Sequence, residues 1–149
     1  MKHLSRIAAL AIVTSAGFIA CSKSDSNSSK TKAELITEGS WKFDHATASG
    51  IGDVSGAIPN CYKDNVVVFV SGGTGNISEG TDVCSPSTAG NFTWSFKDND
   101  ATLSLSTPLF TGGSGDFTLV SLTETNLVIS QMMTIAPYPS TNVEVTFKH

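Results

Sequence analysis

The stretch Gly90-Asn91-Phe92-Thr93-Trp94-Ser95-Phe96-Lys97-Asp98-Asn99-Asp100-Ala101-Thr102-Leu103-Ser104-Leu105-Ser106 decides the fold. Phe92, Trp94 and Phe96 alternate with small polar residues, and Leu103 and Leu105 do the same. Each half therefore presents one apolar face at a period of two, the spacing of a half-buried strand. Between the halves, Asp98-Asn99-Asp100 supplies side chains that tolerate left-handed backbone and bond to nearby amides, which is what a tight turn requires. The reading is two antiparallel strands, over 90–96 and 101–106, joined by that turn.

The pattern continues in both directions. Trp41, Phe43 and His45 share a face of 40–48, while Val67 and Phe69 oppose Val66, Val68 and Val70 in 65–71. Further strands are predicted over 74–79, over 116–122 with Phe117 and Leu119 inward, over 126–133, and over 142–148 with Val143, Val145 and Phe147 inward. One short helix is predicted over 32–37, stopped by Gly39. Turn chemistry recurs at Ser71-Gly72-Gly73-Thr74 and Thr123-Glu124-Thr125-Asn126, and no helix-length segment remains to carry a parallel crossover. The fold class is therefore all-β, an antiparallel up-and-down meander of about eight strands with a short N-terminal helix. Closure into a barrel hides both the apolar face and the strand edges; a two-sheet sandwich is the other solution the strand count allows. Residues 48–60 and 107–115 read as loops. Leu109 and Phe110 either cap the core or form a lip at a cavity mouth, and Ile135-Ala136-Pro137-Tyr138-Pro139 poses the same choice.

Composition agrees with strands and turns rather than salt-bridged helices: 15% of the 149 residues are charged, against about 25% in typical globular chains. Nine basic residues face thirteen acidic ones, and basic patches with interleaved aromatics are absent, so a nucleic-acid partner is set aside.

Residues 1–20 have the layout of a signal peptide, with Lys2 and Arg6 ahead of an apolar run over 7–13 that is shorter than the roughly 20 residues of a membrane span. Removing them leaves seven basic residues and a mildly acidic domain. Phe18-Ile19-Ala20-Cys21 resembles the bacterial lipobox, which implies that Cys21 carries lipid and becomes the N-terminus; an ordinary signal peptide cut after Ala20 is the alternative. Residues 21–31 form a Ser-rich flexible tether, and 32–149 the domain. Cys21-Ser22-Lys23-Ser24-Asp25 resembles the export signal of some surface lipoproteins, so periplasmic and surface display both stay open.

With Cys21 given to lipid, Cys61 and Cys84 are left as a pair in an oxidising compartment and are expected to form a disulfide. No CxxC spacing exists, and His45 and His149 lie far apart, so no metal site is expected.

Four segments carry a family likeness: Leu35-Ile36-Thr37-Glu38-Gly39-Ser40-Trp41-Lys42, Cys61-Tyr62-Lys63-Asp64-Asn65 running into Val66-Val67-Val68-Phe69, Glu79-Gly80-Thr81-Asp82-Val83-Cys84, and Thr93-Trp94-Ser95-Phe96. Together they resemble the lipocalin-like domain of bacterial lipoproteins of the Bacteroidetes type. The resemblance spans 32–149 and implies a small barrel or half-open barrel with an apolar interior site, without naming a substrate.

Catalysis finds little support. His45 is the one internal histidine of the domain and is expected inward beside Trp41 and Phe43 as a core residue. Asp98 and Asp100 sit in a turn where Asp and Asn are expected for backbone reasons; a Ca²⁺ site there is the rival reading, without EF-hand spacing. Gly72-Gly73-Thr74-Gly75 lacks the Lys-Ser/Thr and the helix of a phosphate loop. The expectation is a non-enzymatic, monomeric envelope lipoprotein without a cofactor, held to the outer membrane through lipid on Cys21. It binds a small apolar or glycan-like ligand faced by Trp41, Phe43, Phe69, Phe92, Trp94 and Phe117. The alternative is a structural or interaction lipoprotein whose barrel core is filled by side chains.

Overall fold

The computed structural model describes residues 29–110 and 113–149. The leader of residues 1–20, the lipobox with Cys21 and all but the last residues of the tether lie outside the described residues.

The described chain opens with α1 (Lys32–Ile36), followed by β1 (Ser40–Ala48), β2 (Gly52–Asp53), a single 3₁₀ turn (Ser55–Ala57) and α2 (Asn60–Lys63). The remaining strands are β3 (Val66–Val70), β4 (Thr74–Ser78), β5 (Gly90–Lys97), β6 (Thr102–Leu105), β7 (Asp116–Leu122), β8 (Asn126–Met133) and β9 (Thr141–Lys148). Each of the eight segments read as strands from alternation is a strand, with ends differing by one residue or so. The two-residue β2 and the one-turn α2 were not anticipated, because each is too short to show a period.

Every strand pairing is antiparallel, and β3 to β9 pair in sequence order. The ring closes on β1, which is long enough to serve two neighbours. Its first residues face β3, with Trp41 opposite Val67, and most of its length faces β9, with Ala46 opposite Val145. The sheet is therefore a closed barrel rather than a sandwich, and β2 is an addition on the far end of β1, pairing Thr47 with Asp53. Closure leaves no long edge open to foreign strands.

One expectation fails here. His45 is not a core residue: its side chain is 49% exposed. The pairing with β9 shifts between Phe43, opposite Phe147, and His45, opposite Thr146, so Asp44 is an extra bulged residue. A bulge moves all later side chains to the other face. Ala46 and Ala48 consequently turn inward in place of His45. Asp44 gathers its neighbours on the outside, accepting from Lys148 Nζ at 3.0 Å and lying 2.6 Å from His45 Nδ1. A second shift, between Leu119 and Ser121 in β7, leaves Val120 on the outer surface.

The two ends of the barrel are built differently. At one end lie the short β3–β4, β5–β6 and β7–β8 turns together with α1. In the β5–β6 turn, Asp98, Asn99 and Asp100 all adopt positive φ, near 55°, 54° and 61°, and the Asp98 carboxylate accepts from Thr102 Oγ1 at 2.8 Å. Trp41 rises from the start of β1 into this end, fully buried, and its indole N–H donates to the carbonyl of Ile36 in α1 at 2.8 Å. His149 covers it, with ring centroids 3.9 Å apart. At the other end lie the longer connections 49–65, 79–89, 106–115 and 134–140.

Candidate ligand-binding site at the open end

The sequence places apolar residues in segments whose Gly and Pro content keeps them out of the sheet, and these segments meet at the open end. Pro59 precedes α2, which turns Tyr62 into the barrel mouth, where it is buried. The next cysteine in the chain reaches the same place from the β4–β5 connection: Cys61 and Cys84 form a disulfide with Cα atoms 5.1 Å apart. From the β6–β7 connection come Leu109 and Phe110, both buried. Phe110 meets the Tyr62 ring edge-on at 5.5 Å and leans on Phe147 at 6.4 Å. Met133 and Ile135 close the ring from the end of β8 and the connection beyond it.

These groups enclose a half-open pocket of about 460 Å³, within the range of small-molecule sites. Its walls are mainly Ile58, Tyr62, Phe110, Met133, Ile135 and the disulfide, with Ser85 and Thr134 adding hydroxyls, and no charged side chain lines it among the described residues. Phe110 also borders a second hollow of about 250 Å³, where the side chains of Ser87, Thr88, Asn91 and Thr107 stand beside Ala89, Pro108 and Phe110 itself.

Glu79, at the end of β4, organises the loop that separates the two. Its Oε1 accepts from the amides of Cys84 at 3.2 Å and Thr88 at 2.7 Å and from Thr88 Oγ1 at 2.9 Å; its Oε2 accepts from Ser87 Oγ at 2.6 Å. These donors, the Ser87 hydroxyl first and the Thr88 amide next, hold the Glu79 carboxyl below its ordinary range, so it is ionised and accepts only. Asp64 supports the same loop from the end of α2 by accepting from the Asp82 amide at 2.9 Å, which draws its own carboxyl down. Across the mouth, Gln131 faces inward from β8 and its Oε1 accepts from the Ser114 amide at 2.9 Å, pinning the chain just beyond Phe110.

The aromatics predicted to face a ligand lie elsewhere. Trp41, Phe69, Phe92 and Phe117 are buried in the body of the barrel, and Phe43 packs half-buried against the same core. Trp94 meets Phe69 edge-on, and its indole N–H donates to the carbonyls of Thr74 at 2.9 Å and Val70 at 3.2 Å, tying down the β3–β4 turn at the closed end. None of the six lines the 460 Å³ pocket. The interior they occupy is filled: the space among Trp41, Val67, Phe69, Leu109, Leu127 and Phe147 has no room for a water molecule. An eight-stranded ring is only wide enough for its own side chains, and large aromatics complete the filling.

Leu109 and Phe110 divide the two roles between them. Leu109 plugs the core from above, and Phe110 forms the lip. Alternation along strands could not single out Ile58, Tyr62, Met133 or Ile135, because three of the four stand outside strands. The signal available was apolar residues held inside Pro-containing connections, Ile58-Pro59 and Ile135-Ala136-Pro137. Among the described residues, no three His, Cys, Asp or Glu side chains converge as a metal site would need.

Comparison with curated proteins returns no match. A family model, the lipocalin-like domain, matches residues 37–129. That span runs from the end of α1 to the middle of β8 and takes in the Trp41 anchor, the disulfide and the closed-end turns. With most of the chain under that match and the strands closed into a meander barrel, the protein belongs to the lipocalin-like domain family.

Proposed function

We propose that this protein is a lipid-anchored envelope lipoprotein, without catalytic activity, that holds a small ligand at the open end of its barrel. The observation that carries the reading is the uncharged pocket of about 460 Å³ between Tyr62, Phe110 and the Cys61–Cys84 bridge. Membership of a family of lipocalin-like barrels supports it. So does the division of the molecule: the body of the barrel is packed solid and contributes stability, while the mouth keeps space.

The described end of the tether, at Lys30, and the pocket fall at opposite ends of the barrel. Lys30 bonds to Glu38 at 2.6 Å and to Glu124 at 2.8 Å, beside α1 and the β7–β8 turn. Eight residues separate it from Cys21, a span of at most about 32 Å even when fully extended. Lipid on Cys21 would hold the closed end within that reach of the bilayer.

The experiment is recovery of the full-length protein from membranes of its native host, followed by mass spectrometry of its N-terminus and of the small molecules released on denaturation. A diacylated Cys21 and a co-purifying small molecule are expected. The exposed pocket-wall residue Thr134, changed to Trp to fill the space, should abolish the second and spare the first. An unmodified Cys21 would overturn the anchor. A wild-type protein that yields the same molecules as Thr134→Trp would overturn the ligand and favour the filled-core reading, in which the outer surface acts.

A further inference from the structure

The two hollows that flank Phe110 present different side chains, Ile58, Tyr62, Met133 and Ile135 in the larger and Ser87, Thr88, Asn91 and Thr107 in the smaller, and that difference points to a ligand class. Building on the pocket reading above, we propose that the open end takes an uncharged amphiphile. Its apolar body sits between Ile58, Tyr62 and Phe110, and its hydroxylated head lies over Ser87, Thr88, Asn91 and Thr107.

The apolar half follows from the walls. Rings, a disulfide and aliphatic groups make up most of the walls, with the Ser85 and Thr134 hydroxyls among them, and none of these groups supplies a counter-charge to a carboxylate or phosphate leaving water.

The hydroxylated half follows from the hydrogen bonds of the second hollow. Ser87 Oγ gives its proton to Glu79 Oε2 and accepts from the Ala89 amide at 3.2 Å. Thr88 Oγ1 gives its proton to Glu79 Oε1 and accepts from Asn65 Nδ2 at 3.2 Å. A hydroxyl has one proton and two lone pairs, so each of these two retains one lone pair and has no proton left to donate. They can therefore serve only a ligand that donates. An anionic head has nothing to donate and would meet lone pairs backed by the Glu79 carboxylate. A neutral head rich in O–H groups matches, and the Asn91 and Thr107 side chains beside them add groups that both donate and accept. Because Phe110 walls both hollows, body and head are joined across a single ring, as in a glycoside of an apolar alcohol.

Equilibrium dialysis of the full-length protein in lipid nanodiscs, with empty nanodiscs as the blank, tests this with four probes: 2-naphthyl glucoside, 2-methoxynaphthalene, methyl glucoside and 2-naphthyloxyacetate. The naphthyl glucoside should bind at least tenfold more tightly than each of the others. Thr107→Val combined with Asn91→Ala should lower its affinity about tenfold while leaving 2-methoxynaphthalene unchanged, which also shows that the variant is folded. Equal binding of the glucoside and 2-methoxynaphthalene, with no effect of the double variant, overturns the hydroxyl subsite but leaves the apolar pocket standing. Equal binding of the anion overturns the selection for an uncharged head. Failure of every probe overturns this ligand class, while a native molecule recovered from the wild type and lost in Thr134→Trp would still uphold the pocket.

Discussion

The two ends of this barrel share the same strands but are closed by different means. At the closed end the links are turns of a few residues and two indoles on backbone carbonyls, Trp41 on Ile36 and Trp94 on the β3–β4 turn. At the open end the links join one long connection to another or to the barrel: a disulfide across 23 positions, Gln131 reaching Ser114, and Glu79 gathering a loop of ten residues. The contrast teaches that sheet pairing and core packing make the barrel, while a separate set of cross-links makes the pocket. Substitutions should therefore separate stability from binding according to the end they touch.

The largest effect is expected from Trp41→Ala. It removes the largest fully buried side chain, the partner of His149 and the ceiling of the closed end. Such truncations cost about 3–5 kcal/mol, a large part of the roughly 5–15 kcal/mol that holds a domain together. Urea unfolding should show the loss as a lower midpoint for the whole barrel. A variant that unfolds at the wild-type midpoint would break the assignment of stability to this end.

Next is the double substitution Cys61→Ala with Cys84→Ala. The chain-entropy model gives about 3 kcal/mol for a loop of this length, so the cost in stability is comparable to a buried truncation. The distribution of the cost should differ. Hydrogen exchange is expected to speed up most at α2 and the 79–89 loop, and the pocket should lose its ligand, while β1 and β9 keep their protection. Exchange rising equally in β1 and β9 would show that the bridge holds the barrel rather than the mouth.

Glu79 gives a smaller and pH-dependent effect. Its folded-state carboxyl lies below the ordinary range, held there first by the Ser87 hydroxyl and then by the Thr88 amide. The stability it contributes is therefore fully present above the ordinary carboxylate range and is lost as pH falls through the lowered folded value. Exchange in 79–89 should accelerate on acidification below about pH 4 in the wild type. Glu79→Gln should show fast exchange already at neutral pH and lose that acid-dependent step, because its amide turns N–H groups toward donors. A wild-type loop whose exchange does not respond to acid, beyond the intrinsic chemistry, would sink the role given to this carboxylate.

The same division explains what could be read in advance. Strands 90–97 and 102–105 were legible because Phe92, Trp94, Phe96, Leu103 and Leu105 repeat at a period set by the backbone itself. The disulfide was legible by counting. The bulge at Asp44 was not, since an extra residue leaves the polar–apolar alternation of Trp41-Lys42-Phe43-Asp44-His45 intact and appears only in the register against β9. The pocket was displaced for a related reason. Alternation reports which side chains face the interior but not whether that interior is full. Here Trp41, Phe69 and Phe117 fill it, leaving space only where connections of unequal length meet. Leu109 and Phe110 are neighbours in sequence, yet one is a plug and the other a lip, a distinction made by three-dimensional closure alone.

The smallest expected effect sharpens the comparison most, because it tests whether the closed end can be weakened without the open end noticing. α1 is five residues long, too short to persist by itself, and depends on its cap and on the barrel beneath. Thr31 Oγ1 accepts from the Glu34 amide at 3.2 Å, and Glu34 Oε2 accepts from the Thr31 amide at 2.7 Å, a reciprocal capping box. Thr31→Ala removes one half of it and should cost about 1 kcal/mol, with Thr31→Ser restoring most of the loss. Ile36 and the Trp41 indole still seat the helix, so the loss should appear as faster exchange in α1 and a slightly lower unfolding midpoint. Ligand affinity should stay within error of the wild type, since no residue of α1 borders the mouth. If affinity falls together with the midpoint, then a change at one end reaches the other through the packed core between Trp41 and Leu109, and the barrel body is a coupling element rather than a divider.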